Sequence, residues 1–182
     1  AAGAVIVIVL GTQDLHGALE RLPILAGYVD NVRAARAADG GALVLVDAGD
    51  LFQGTLESNM TEGAPVIAAY NAIGYTAAAV GNHEFDFGPP GPPVTIQAPD
   101  DDPRGALKAR AAEAKFPLLA ANLYDAESKS RIKWPNMPAS ITVDAHGVKV
   151  GIIGVTTEAT PFTTMPANFK GLIIESPAGV IT

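Results

Sequence analysis

The chain contains no cysteine, which excludes a disulfide and any metal site built on thiolate. That absence does not fix the compartment. Cations are scarce, with 12 Lys and Arg against 19 Asp and Glu and a net charge of −7. A binder of nucleic acid polymer would present a basic face, so that class is excluded. An anionic small molecule is not excluded, because a bound cation inverts the local field. Only three histidines occur, His16, His83 and His146. No uninterrupted apolar run approaches the ~20 residues of a membrane helix, and no membrane span is predicted. Residues 5–10 are apolar, but the run is short and β-branched, and no cationic segment precedes it. It reads as a strand rather than a signal peptide.

What is present suffices for one domain with a real core: 182 residues, 48% of them hydrophobic. Residues 4–10 read as a strand buried on both faces. Pro23 suits the first turn of a helix. Leu25, Tyr28, Val29 and Val32 continue at helical spacing until Gly40-Gly41. Residues 42–46 form a second buried strand. Val66, Ile67, Tyr70 and Ile73 mark a second helix stopped by Gly74, and residues 76–80 a third strand. This alternation predicts an α/β fold with a largely parallel sheet and flanking helices. Residues 88–103, rich in proline, glycine and aspartate, break the pattern and read as an exposed loop or insertion. A short helix over 104–115 and a fourth strand over 117–121 follow. Residues 140–144 and 148–155 flank Ala145-His146-Gly147 as a hairpin, which makes His146 a structural turn residue. A last strand is expected at 172–174.

Three motifs carry chemistry, each just past a predicted strand: Asp14-Leu15-His16-Gly17, Asp47-Ala48-Gly49-Asp50 and Gly81-Asn82-His83-Glu84-Phe85-Asp86. Parallel strands joined by right-handed crossovers bring such segments to one sheet edge, where open α/β sheets bind ligands. Asp14 and His16 are placed to grip one divalent ion. Asp50 is suited to touch two, and Asn82 offers a neutral oxygen to the second. Oxygen and imidazole donors without sulfur fit manganese, zinc, iron or magnesium. Two aspartates against two dications leave residual positive charge, which attracts phosphate and acidifies water. His83 need not be a ligand. It can stabilise phosphoryl charge or protonate a leaving alkoxide, with Asp86 orienting its ring. Glu84 reads as a support for the loop.

These residues resemble the 5′-nucleotidase family of calcineurin-like metallophosphoesterases. The family signature Thr-Asn-Asp-Leu-His-Gly appears as Thr12-Gln13-Asp14-Leu15-His16-Gly17, with glutamine for asparagine. Residues 47–55 and 81–86 match its next two blocks. Phe116-Pro117, Ala121-Asn122-Leu123 and the run from Gly151 to Thr157 are also similar to it. The resemblance implies Asp14, His16 and Asp50 on one metal and Asp50 and Asn82 on the other. It implies His83 and Asp86 as a catalytic dyad, with Asn82 and His83 contacting the substrate phosphate. It also implies a nucleotide or related phosphoester substrate, and a periplasmic or extracellular setting. UDP-sugar hydrolases, 2′,3′-cyclic phosphodiesterases and thiosulfohydrolases share these motifs.

The family completes its metal centre with histidines further along, and no histidine follows His146. Its nucleoside-sandwiching carboxy-terminal domain has no counterpart here. Residues 1–182 are therefore expected to form the amino-terminal half of the catalytic domain, a fragment with an incomplete second metal site. An inactive metal-binding fragment is the competing reading. The half-sheet is expected to expose apolar surface, favouring self-association.

Overall fold

The computed structural model describes residues 4–181. Four strands form a parallel sheet in the order of the chain: β1 (Val7–Thr12), β2 (Ala42–Asp47), β3 (Ala77–Ala79) and β4 (Leu118–Leu119). Their carboxyl ends are in register, since Thr12 pairs with Asp47, Asp47 with Ala78 and Ala79 with Leu119. The loops that leave β1, β2 and β3 therefore start level with one another.

The crossovers are helical. Helix α1 (Leu22–Ala38) opens with Pro23 in its first turn and gives way at Asp39-Gly40. A single turn, α2 (Leu56–Asn59), is capped by Thr55, whose hydroxyl accepts from the Ser58 N–H. Helix α3 (Ala64–Ile73) stops at Gly74, which takes the left-handed conformation that glycine adopts without penalty. Helix α4 (Gly105–Glu113) precedes β4. Val29, Val66, Ile67, Tyr70, Leu107 and Phe116 from this layer form the core with Leu45 and Leu118 of the sheet.

The remaining elements are β5 (Leu123–Asp125), the hairpin β6 (Ser140–Ala145) and β7 (Val148–Ile153), the turns α5 (Thr160–Thr163) and α6 (Pro166–Phe169), β8 (Leu172–Ile174) and α7 (Pro177–Ile181). Strand β5 pairs antiparallel with β8. Asn122 and Thr156 are buried and bond reciprocally at 2.8 Å, joining the end of β4 to the segment after β7. No helix of the described residues is long and apolar enough to cross a membrane.

The first strand departs from expectation. It starts at Val7 and runs to Thr12, and it is an edge strand, not one buried on both faces. Ile6 is 51% and Val9 61% exposed. A β-branched run looks the same whether one face or two are covered, so composition could not separate the cases. An open apolar groove of about 470 Å³ lies against this sheet, lined by Val46, Ala77, Ala79, Leu119, Ile152 and Val155 among others. Residues 88–103 hold no helix or strand and are largely exposed. They are tied down at Gly91, whose N–H donates to Glu62 Oε1 at 2.6 Å.

Candidate metal centre

The loop after β1 is zipped to the loop after β2. The N–H groups of Asp14, His16 and Gly17 donate to the carbonyls of Gly49, Asp50 and Leu51 at 3.1, 3.0 and 3.0 Å. Asp14, His16 and Asp50 all hold left-handed backbone, with φ of 52°, 50° and 60°. That region costs a non-glycine residue roughly 1 kcal/mol or more. Here the interloop bonds impose it.

The third loop is clamped to the second by Glu84, which is fully buried. Its Oε2 accepts from the N–H groups of Asp50 (3.0 Å) and Gly81 (2.6 Å), and its Oε1 from that of Leu51 (2.6 Å). The loop-supporting role read for Glu84 is what these bonds perform. Burial pushes its carboxyl up to about 7, with Asp50 adding to the rise and the three N–H donors opposing it. Asp50 Oδ1 in turn accepts from the His83 N–H at 2.9 Å.

These bonds bring ligand atoms of His16, Asp50 and His83 within 4.8 Å of one another. The three residues come from three different loops. Asp14 stands on the same rim, exposed and outside that trio. Neither Asp14 nor Asp50 has an ion-pair partner among the described residues. The His16 Nδ1 lies 2.7 Å from the carbonyl of Gln53, so Nδ1 carries the proton and Nε2 keeps its lone pair. Asn82 spends its amide N–H on the Thr163 carbonyl at 3.2 Å and leaves Oδ1 unused. The His16 imidazole lone pair and the Asp50 carboxylate are donors of the kind that fit a divalent cation.

His83 is held differently. Its Nδ1 lies 2.6 Å from Asp86 Oδ2, and the His16 and His83 rings meet edge to face with centroids 5.0 Å apart. Burial works to lower its pKa, but the hydrogen bond and charge of Asp86, with Asp50 and Glu84 behind, outweigh it and raise it. A ring carrying both protons has no lone pair for a metal, whereas one holding a single proton on Nδ1 keeps that of Nε2. Beside Asp86 an open cleft of about 500 Å³ is lined by Gln53, Asn59, Phe87, Val94, Thr164 and Met165.

Beneath the rim sits a network that sequence reasoning missed. Asp47 is buried and its Oδ2 accepts from Thr12 Oγ1 (2.5 Å) and Tyr70 Oη (2.9 Å), while its Oδ1 accepts from the Gly49 N–H (2.7 Å). Tyr70 and Tyr75 stack at 3.8 Å. Burial raises the Asp47 pKa, and its hydrogen bonds oppose the rise. Helical spacing placed Tyr70 on the second helix, but no local signal marks its hydroxyl as a support for the second motif. His146 lies in the β6–β7 turn, its Nδ1 3.0 Å from the Gly40 carbonyl, away from the centre.

No family model matches the chain. The protein UshA of Yersinia enterocolitica is 32% identical over 179 residues, which cover 94% of this chain and 29% of UshA. A 5′-nucleotidase of Vibrio cholerae is 32% identical over 176 residues, covering 93% of this chain and 28% of that protein. The crystal structure of a 5′-nucleotidase precursor from Thermus thermophilus superposes with a TM-score of 0.69 at 28% identity, over 95% of this chain and 32% of that one. This chain belongs to the 5′-nucleotidase family of calcineurin-like metallophosphoesterases. It spans under a third of the length of these relatives. Its α/β fold, a parallel sheet with flanking helices, is the fold of that family.

Proposed function

We propose that the chain carries the metal-holding, amino-terminal part of a hydrolase that cleaves the phosphoester of a nucleotide. The observation that carries this reading is the convergence of His16, Asp50 and His83 from three loops to within 4.8 Å. Asp14, His16 and Asp50 are assigned to a first divalent ion, and Asp50 and Asn82 to a second. Bound there, such ions supply charge to hold phosphate and to acidify water. His83, kept protonated by Asp86, faces the phosphate as donor to its oxygens and as the acid for the leaving alkoxide. The cleft beside Asp86 has room for the organic part of the ester. The second ion has only Asp50 and a neutral amide, which is the basis for reading it as incomplete. The same reading sets the protein in the periplasm or outside the cell.

Two measurements test it. Manganese should broaden the imidazole NMR signals of His16 and His83 while sparing those of His146. With manganese, turnover of an aryl phosphate and of nucleoside monophosphates should fall by about 100-fold or more in Asp50→Ala and His83→Ala. Equal broadening at all three histidines would overturn the site. Turnover untouched by both substitutions would overturn the chemistry.

A further inference from the structure

Residues 163–165 belong to none of the three motifs and carry no charge, yet they hold both neighbours of His83. The Thr163 carbonyl accepts from Asn82 Nδ2 at 3.2 Å. Thr164 Oγ1 donates to Asp86 Oδ1 at 2.9 Å, and the Met165 N–H donates to the same oxygen at 3.2 Å. An ionised carboxylate only accepts, so the threonine hydroxyl must be the donor. The other Asp86 oxygen is the one that holds His83 Nδ1. A carboxylate bound through one oxygen turns about its Cβ–Cγ bond. One bound through both is fixed in plane, and so is the ring it holds.

The stretch is itself anchored. Asn168 is fully buried, and its amide donates to the carbonyls of Val94 (2.9 Å), Phe85 (3.1 Å) and, at longer range, Asp86 (3.4 Å). The Phe169 ring meets Phe85 edge to face at 5.1 Å. Turns α5 and α6 are thus fastened to the third motif across about 80 residues of chain.

We propose that residues 163–165 are a positioning brace: Thr163 fixes the Asn82 amide through its nitrogen, and Thr164 with Met165 locks Asp86 so that His83 keeps its proton on Nδ1 and presents Nε2 to the substrate. This rests on the roles given to Asn82, His83 and Asp86 above.

The test uses the metal-free chain, without substrate, so a failed hydrolase assignment cannot be confused with a failed brace. Nitrogen-15 shifts of the three imidazoles are recorded at a pH where all are neutral. The unaltered protein should show His83 with the proton on Nδ1. Thr164→Val should weaken that preference about tenfold, the scale of one hydrogen bond to a charged group. Thr164→Ser should restore it, and His146 should not respond. If valine is not tolerated at this buried position, Thr164→Ala gives the same readout. His83 shifts unchanged in a folded valine or alanine variant would overturn the brace, as would a serine variant that fails to restore them.

Discussion

Asp86 does two things to His83: it fixes the ring through Nδ1 and it stabilises the protonated form against the cost of burial. In the metal-free chain the His83 titration midpoint should lie above the ordinary histidine value of about 6.5. Asp86→Asn should bring it below that of the unaltered protein, which proton NMR of the ring reads directly. A midpoint unmoved by the substitution would remove Asp86 from the role of ring partner. Glu84 gives a second residue-scale consequence, with the opposite sign for stability. Its folded pKa is raised from 4.5 to about 7. Between those values the folded state binds a proton that the unfolded state has released, so stability falls as pH rises through the window and levels above it. The full loss is on the order of 3 kcal/mol. Urea unfolding of the metal-free chain from pH 4.5 to 7.5 should show this decline, and Glu84→Gln should flatten it. The glutamine chain should also be less stable at pH 5 by roughly 2 kcal/mol, because an amide cannot accept all three N–H bonds.

At the scale of elements, the three loops are fastened to one another by backbone and carboxylate hydrogen bonds. Gly49, at φ 103°, lies so close to the third loop that a Cβ there would sit 2.6 Å from the Gly81 nitrogen. Gly49→Ala should therefore cost roughly 2 kcal/mol or more, since it meets backbone rather than a flexible side chain. A thermal melt within a degree or two of the unaltered protein would show that the loops can part. The sequence made much of this level legible. Apolar runs and glycine stops located β1 to β4, α1, α3 and the β6–β7 hairpin, and each chemical motif follows its strand as expected. Two kinds of feature were not legible. Exposure of β1 depends on what lies across the sheet, which a β-branched run does not encode. The hold of Thr164 on Asp86 spans 78 residues, and neither α5 nor α6 is long enough to leave a helical period. The buried network of Asp47 was not legible either, because its partners Thr12 and Tyr70 are brought to it only by the crossovers.

For the whole molecule, the proposed donor set fixes how many ions the chain can hold. On the assignment proposed above, Asp14, His16 and Asp50 would offer three donors to a first ion, and Asp50 and Asn82 two to a second. Divalent sites take four or more. Ile6, just before β1, and Val9 on it are exposed, and so is Ile153 on β7, which lines the open groove. On that donor count, calorimetric titration of the 182-residue chain with manganese or zinc should give one tight site at most. Asp50→Ala should abolish it, and Asn82→Ala should weaken it less than His16→Ala does. The melting temperature should climb with metal concentration in the unaltered chain and stay flat in Asp50→Ala, because only an ion bound to the folded state shifts that equilibrium. Two tight sites of equal strength would mean that the described residues already complete both ions. The assignment of Asn82 as half of a deficient pair would then be wrong.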